Sequence, residues 1–158
     1  MTGRELHFMQ MAIALSRKGM EGGYGGPFGC VIVKGDEVVG RGWNNVAAHK
    51  DPTAHAEVVA IRDACRFLDH FQLDGCEVYA SCEPCPMCLG ALYWARPSKV
   101  FYANTRHDAA AIGFDDSFIY NELELPTELR KVPLIHLPVP SATLVFEDWK
   151  HLPGKTIY

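Results

Sequence analysis

The chain has 158 residues, of which 48% are hydrophobic and 22% are charged. This composition is ordinary for a globular protein and excludes a disordered chain, a collagen or a coiled coil. A chain of this length is predicted to form a single domain over residues 1–158. Fifteen Lys and Arg against nineteen Asp and Glu give a net charge of −4, so the composition supplies no general attraction to nucleic acid or to anionic membranes.

Helices and strands alternate along the chain. Thr2 and Glu5 form a capping-box pattern before apolar residues at helical spacing, which predicts a helix that stops at Gly19. The dipeptide Gly35-Asp36 separates two β-rich runs, as in a hairpin. The predicted elements in order are a helix at 3–18, strands at 30–34 and 37–43, a helix at 54–68, a strand at 77–81, a helix at 86–95, strands at 98–103 and 132–137, and a helix at 141–152 that begins at Ser141.

The connections between these elements predict the fold class. A glycine-rich loop occupies residues 22–27, residues 44–54 are a polar loop, and residues 104–130 are irregular or short-helical. Strands joined through helices favour parallel pairing in a sheet that is covered on both faces. The sequence therefore predicts an α/β protein, a three-layer α/β/α sandwich around one five-stranded mixed sheet.

Two short segments carry the chemistry: Thr-Ala-His-Ala-Glu at residues 53–57 and Glu-Pro-Cys-Pro-Met-Cys at residues 83–88. Cys85 and Cys88 lie at i and i+3 near a predicted helix start, where one helix face and the positive end of the helix dipole favour thiolates. His55 opens another predicted helix. One imidazole with two thiolates suits Zn²⁺, and three protein ligands leave a fourth position for water.

Glu57 follows His55 by two residues, and side chains in a first helical turn can lean over the helix end. Zinc lowers the pKa of bound water from 15.7 toward about 7, so we expect zinc-bound hydroxide as nucleophile and Glu57 as proton shuttle. His-x-Glu followed by Pro-Cys-x-x-Cys is the signature of zinc-dependent deaminases. A closed structural site that adds Cys82 as fourth ligand, and a redox pair, are the alternatives.

The compartment is predicted from cysteine usage and from the apolar runs. Six cysteines could pair, but three of them crowd into residues 82–88, and a chain of this size needs no disulfides. The apolar runs are far shorter than the ~20 residues of a membrane span, and the N-terminus lacks a clear small-residue cleavage site. We expect a cytoplasmic protein with no membrane partner.

The sequence resembles the cytidine deaminase-like superfamily and, within it, the compact bacterial guanine deaminases. The metal motif is common to the superfamily, whereas the Gly-Phe-Asp-Asp stretch and the aromatic C-terminus favour the guanine branch. The segments that carry the resemblance are Gly-Pro-Phe-Gly at 26–29, Trp-Asn-Asn at 43–45, residues 51–57, 81–91 and 93–97, residues 113–120, and Tyr158.

The resemblance implies the cytidine deaminase-like fold, one zinc ion per subunit and the hydrolysis of guanine to xanthine and ammonia. His55, Cys85 and Cys88 would bind zinc, Glu57 would move protons, and Asp116 would be a second catalytic carboxylate. The substrate-binding residues would be Phe28, Asn44, Ala56, Trp94 and Tyr158. A homodimer is also implied, with the C-terminal segment exchanged between subunits.

Each of these assignments has a plainer alternative in the residues alone. Phe28 could be a core residue, Asn44 could cap a turn, and Asp116 could be the N-cap of a helix at 117–122. Trp94 could pack around the zinc helix, and Tyr158 could be a frayed end.

Three rival functions remain open at the level of sequence. A tRNA adenosine deaminase shares the metal motif, but residues 121–158 hold four Lys and Arg against five Asp and Glu, which does not favour RNA binding. A nucleoside deaminase, for guanosine for example, differs only in admitting a ribose. A non-catalytic module stabilised by zinc belongs to another class of protein. We expect a small purine base as the partner, and no nucleic acid.

Overall fold

A computed structural model describes residues 2–158, and their backbone divides between Asp116 and Ser117 into two compact units. The first unit contains α1 (Gly3–Glu21), β1 (Gly29–Lys34), β2 (Glu37–Trp43), α2 (Val46–His49), α3 (Ala56–Leu68), β3 (Cys76–Cys82), α4 (Pro86–Ala95), β4 (Lys99–Asn104) and α5 (Arg106–Ala111). The second contains α6 (Ser117–Glu124), a 3₁₀ turn (Thr127–Leu129) and α7 (Pro140–His151).

The sheet is mixed and has four strands in the order β2-β1-β3-β4. Strand β1 runs antiparallel to β2 and to β3, whereas β3 and β4 are parallel. The prediction of a fifth strand at 132–137 is wrong for the described residues, which form no strand there. Pro133 lacks the N–H that a sheet ladder needs, and the apolar side chains at Ile135 and Leu137 are exposed instead of being paired against a sheet.

Helices cover both faces of the sheet, which confirms the predicted α/β/α layers. Alternate residues of β1 point to opposite faces. Val31 and Val33 pack with Phe8 and Ala12 of α1, whereas Ile32 lies in the cluster formed with α3 and α4. The residues of the second cluster are Cys30, Ile32, Val39, Ala56, Ala60, Ala64, Leu73, Cys76, Val78, Leu92 and Ala95.

Several predicted boundaries are confirmed, and others shift by one to three residues, such as the start of α3 at Ala56 instead of residue 54. The hairpin, the Thr2 capping box and the helix at Pro86–Ala95 are as predicted. Helix α1 continues past Gly19 because that residue is buried against Trp43 and packing outweighs its weak helix propensity. Helix α7 begins at Pro140, before the predicted Ser141.

The approach of α3 to β2 places the first turn of α3 at the sheet. A Cβ on Gly42 would lie 2.6 Å from the Ala60 nitrogen and would overlap the Ala56 carbonyl oxygen. Only glycine therefore allows the backbone of α3 to lie this close to the strand. This contact fixes the position of residues 55–57 relative to the end of the hairpin.

The second unit is small and carries no buried residue. Arg130 Nε donates to the Leu125 carbonyl over 3.1 Å, and the Lys131 backbone N–H donates to Glu122 Oε2 over 2.7 Å, so the turn is held against α6. Within residues 2–158 no helix is both long enough and apolar enough to cross a membrane.

Arg4 ties the start of α1 to the hairpin turn and to β3. Its Nη1 lies 2.6 Å from Glu77 Oε2 and its Nε lies 2.8 Å from Asp36 Oδ1, while Nη2 donates to the Gly35 carbonyl. The hydrogen bond from Arg4 holds the pKa of Glu77 below its ordinary value. Because Glu77 is only 20% exposed at its side chain, this bond is the better shielded arm of the cluster.

We expect Glu77→Gln to lower the free energy of unfolding at pH 7 by on the order of 1 kcal/mol. The folded-state pKa of Glu77 lies below the unfolded value of about 4.3, so the carboxylate stabilises the fold above that pH. Its contribution is lost as the pH falls through the folded-state pKa. Urea titrations at pH 7, 5 and 3 should show the difference from wild type shrinking at pH 3.

Asp36→Asn is the control for this variant, since Asp36 is the other arm of the same cluster and its side chain is 87% exposed. We expect a smaller effect at every pH. A Glu77→Gln difference that stays constant down to pH 3 would contradict the assigned role of the ion pair.

Candidate active site

The three predicted zinc ligands converge where two helices begin on one face of the sheet. His55 is the N-cap of α3, Cys85 is the N-cap of α4, and Cys88 lies in the first turn of α4. Their ligand atoms all lie within 4.8 Å of one another. His55 Nδ1 is 3.5 Å from the sulfur of Cys85 and 3.5 Å from that of Cys88.

The donor set fits a zinc ion. The pKa of Cys85 is lowered to about 4, mainly by the neighbouring Cys88 thiol and also by the imidazole of His55, which favours the thiolate at neutral pH. The bond to that thiolate is the main cause of the raised pKa of His55. The pKa of Cys88 is raised, mainly by the neighbouring Cys85 sulfur and then by burial. Soft sulfur together with imidazole is the ligand chemistry that zinc prefers.

Cys82 lies outside this ligand cluster. Its Sγ donates to the Thr105 carbonyl oxygen over 3.6 Å, and burial raises its pKa to about 11. The ligand group found among residues 2–158 is limited to His55, Cys85 and Cys88. The arrangement therefore matches a centre with three protein ligands and an open fourth position, and the closed four-ligand alternative is not formed.

Glu57 stands beside the ligands as a buried carboxyl. Glu57 is only 7% exposed, and its Oε2 accepts a hydrogen bond from Cys88 Sγ over 3.4 Å. Burial is the main cause of its raised pKa. His55 has extended backbone as the N-cap, so it does not follow the helical spacing that would turn it away from Glu57. A carboxyl with a raised pKa next to a metal centre suits proton transfer near neutral pH.

Phe28 and Asn44 meet at the open end of the hairpin. The register pairs Gly29 with Trp43, so Phe28 and Asn44 form the next pair, and the Asn44 N–H donates to the Phe28 carbonyl over 3.0 Å. Asn44 is 5% exposed, and its Oδ1 accepts from the Val46 N–H over 3.1 Å. No hydrogen bond from its Nδ2 is seen within residues 2–158, which leaves one donor for a ligand.

The remaining predicted residues lie at different depths. Ala56 is 1% exposed, and its N–H is one of the four at the start of α3 that lack an intrahelical acceptor. Asp116 has a raised pKa, mainly through burial and then through the negative charge of Cys85, so its carboxyl lies within electrostatic range of the ligands. Trp94 is 67% exposed on α4, and Tyr158, in the second unit, is 65% exposed. The catalytic role of Asp116 and the substrate-binding roles of Ala56, Trp94 and Tyr158 stay predictions.

Two contacts near the site were missed by reasoning from sequence. Phe114 packs edge-on against Phe28, with ring centroids 5.0 Å apart and an interplanar angle of 88°. Glu83 of the metal motif accepts a hydrogen bond from the Arg106 N–H over 3.0 Å and so caps the start of α5. The Gly-Phe-Asp-Asp stretch carries no signal that indicates which aromatic ring Phe114 contacts.

An α/β/α sandwich with an open three-ligand centre and an adjacent unligated carboxyl defines a metal-dependent deaminase. Residues 3–104 match the model of the cytidine and deoxycytidylate deaminase zinc-binding region. The chain belongs to this family, which confirms the predicted resemblance and the prediction of a zinc-dependent enzyme.

Individual members of this family differ in how similar they are to this chain. Guanine deaminase of Bacillus subtilis (strain 168) is 51% identical over 151 residues, which cover 96% of this chain and 97% of that protein. Its X-ray structure superposes with a TM-score of 0.95 at 49% identity, covering 100% and 99% of the two chains. The tRNA-specific adenosine deaminase of Aquifex aeolicus (strain VF5) is 35% identical over 158 residues, 98% of this chain and 99% of that protein.

A more distant structure, of guanine deaminase from Nitrosomonas europaea, is 34% identical. It covers 69% of this chain and 63% of that chain, with a TM-score of 0.65. The guanine-deaminase relative from Bacillus thus exceeds the tRNA-deaminase relative in identity at similar coverage.

Proposed function

We propose that this chain converts guanine and water to xanthine and ammonia. The observation that carries the proposal is the buried Glu57 carboxyl, 3.4 Å from Cys88 Sγ, beside a centre with three protein ligands. The 51% identity to Bacillus guanine deaminase, over nearly the whole of both chains, supports the choice of substrate. The reaction belongs to the breakdown of purines.

In the proposed reaction, zinc activates the water, and protein carboxyls transfer protons. His55, Cys85 and Cys88 would hold a zinc ion, which would lower the pKa of a water molecule toward about 7 and so supply a nucleophile at neutral pH. Glu57 would accept one proton of the attacking water as the water oxygen bonds to the ring carbon that bears the amino group, and would deliver this proton to the amino nitrogen. The carbon–nitrogen bond would then break and release ammonia, while the remaining water proton passes to the adjacent ring nitrogen as the new oxygen becomes the carbonyl of xanthine. Asp116 assists from the side of the amino group, where its raised pKa suits a hydrogen-bonding carboxyl.

The recognition of the base rests on the end of the hairpin. Phe28 stacks on the purine ring, and the free Nδ2 of Asn44 donates to an acceptor on the ring edge. The N–H of Ala56, at the positive end of α3, donates to the exocyclic carbonyl oxygen of guanine. Trp94 lines the pocket, and Tyr158 is assigned to substrate binding because the aromatic C-terminus resembles that of the guanine deaminases.

The substrate is tested by offering purified zinc-loaded protein guanine, guanosine, cytosine, adenosine and tRNA, with release of ammonia as the readout. We expect ammonia from guanine, with xanthine as the matching product. Release mainly from guanosine would overturn the choice of the free base. Release from tRNA alone would favour the activity named for the 35% identical relative from Aquifex.

We further propose that the protein is a homodimer that exchanges its C-terminal segments. Support comes from apolar side chains that the single chain leaves uncovered: Leu129 is 70% exposed, Ile135 86%, Leu137 79% and Phe146 74%. Strand β4 is an outer strand of the sheet, and its Tyr102 is 50% exposed. Such large apolar exposure in one chain is typical of an interface.

Sedimentation should therefore report twice the chain mass of 17.6 kDa at micromolar concentration. Truncation after residue 116 is expected to abolish the dimer, because the exchanged segment is then missing. A monomer for the full-length, zinc-loaded chain would contradict this proposal, and it would leave the reaction assigned to the site unaffected.

A cytoplasmic location is proposed on the state of the thiols. All six cysteines are free in the structure, and the ligand role of Cys85 and Cys88 requires them to stay reduced. A reducing compartment provides this condition.

A further inference from the structure

Three glycines of the loop at residues 22–27 are not explained by a left-handed backbone: Gly22 lies against the Tyr24 ring of the same loop, whereas Gly25 and Gly26 face Asn44 and Phe28. Gly23 has a φ of +70°, in the left-handed region that favours glycine, whereas Gly25 and Gly26 are not among the positive-φ residues. An alanine could adopt their backbone conformation. The reason for a missing side chain at these two positions must therefore lie in what faces them.

Gly25 faces the carboxamide of Asn44. A Cβ on Gly25 would overlap Asn44 Oδ1 and lie 3.0 Å from both the Cγ and the carbonyl oxygen of Asn44. The carboxamide is not free to swing aside, since its Oδ1 accepts the hydrogen bond of the Val46 N–H. The only relief through Asn44 is to break that bond and turn the amide.

Gly26 faces the aromatic pair. A Cβ on Gly26 would lie 2.9 Å from Phe28 Cε2 and 2.8 Å from Phe114 Cζ, closer than real Cβ contacts come. Phe28 and Phe114 are locked edge to face, so a push on one ring also moves the other. The added methyl group would tilt the ring that the proposed function assigns to base stacking.

Contacts of Tyr24 hold the backbone of the loop in place. The Tyr24 carbonyl accepts hydrogen bonds from the N–H groups of Ala47 and Ala48, over 3.1 and 3.0 Å. The Tyr24 ring also packs against Trp43, with centroids 5.8 Å apart. The backbone just before Gly25 is thus fixed to α2 and β2, and strain from a new Cβ would fall on Asn44 and Phe28.

We propose that Gly25 and Gly26 are positioning residues that set the orientation of the two base-recognising side chains, Gly25 that of Asn44 and Gly26 that of Phe28. The inference rests on the proposed function, since it assumes that Asn44 and Phe28 hold the purine. Neither glycine touches the metal ligands, so their effect is on binding of the base and not on zinc.

The test is a double-mutant cycle with guanine as substrate. Gly25→Ala is expected to lower kcat/KM by about 100-fold, the cost of a misplaced contact, chiefly by raising KM, with zinc content unchanged. In an Asn44→Ala background, where no carboxamide remains to be displaced, Gly25→Ala should have little further effect. In a Phe28→Leu background it should keep its full effect. Gly26→Ala should show the reverse dependence on the two backgrounds.

An undiminished Gly25→Ala loss in the Asn44→Ala background would overturn the inference, because the glycine would then act through the loop in general. Should Gly25→Ala fail to fold, the Gly26→Ala cycle decides in the same way. A crystal structure of the Gly25→Ala variant adds a readout without substrate: we expect Asn44 turned away from the Val46 N–H. An unmoved Asn44 would sink the inference, whereas wild-type protein that releases no ammonia from guanine would sink the proposed function.

Discussion

Replacing Glu57 with Gln is expected to lower kcat on guanine by about 10²–10⁴-fold, the usual contribution of a positioned acid or base, while zinc stays at one ion per chain. Gln has nearly the same size and shape as Glu, so it should fit the buried position, where the residue is 7% exposed. The amide can still donate and accept hydrogen bonds, but it cannot take a proton from water and deliver it to the leaving amine. Steady-state kinetics and metal analysis on the same preparation measure both quantities.

Glu77→Gln is the matched control, because it makes the same chemical change at the ion pair with Arg4, on the side of the sheet covered by α1. We expect its kcat to equal that of the wild type at 25 °C. A Glu57→Gln enzyme with wild-type turnover would remove the proton shuttle from the proposal and would favour a zinc centre with a structural role. Loss of zinc together with activity would show that Glu57 acts through the metal site.

The layered fold could be predicted because its signals are local. The β-rich runs on either side of Gly35-Asp36 and the helical spacing in α1 and α3 are each set within one element. The predicted fifth strand failed for the opposite reason. A strand at residues 132–137 needs a partner edge, and neither the edge nor the chain that supplies it can be inferred from the apolar pattern.

In the active site, too, local features could be predicted from the sequence, whereas contacts between distant residues could not. His55 and Glu57 lie within three residues of each other, and Cys85 and Cys88 within four, so spacing alone indicates the chemistry. The contact between Phe28 and Phe114 joins residues far apart in the chain and depends on the folded loop. Gly25 and Gly26 could be read from the sequence as a flexible loop, but their role in making room for Asn44 and Phe28 depends on tertiary distances.

Replacing a predicted zinc ligand is expected to remove both the metal and the activity. Cys88→Ser is expected to reduce bound zinc from one ion per chain to near zero and to abolish turnover, by at least about 10³-fold. Serine keeps the size of the side chain, but its hydroxyl does not ionise at neutral pH and is a poor ligand for zinc beside one thiolate and one imidazole. Metal analysis after dialysis measures the loss.

Cys82→Ser separates the loss of a ligand from the loss of a buried sulfur. Cys82 is 7% exposed and Cys88 is fully buried, so both substitutions place a hydroxyl in the interior, but Cys82 donates to the Thr105 carbonyl and lies outside the ligand cluster. We expect the Cys82→Ser enzyme to keep its zinc and its kcat. If it loses zinc as Cys88→Ser does, the metal has four protein ligands, no position is left for water, and the chain cannot carry out the hydrolysis proposed for it.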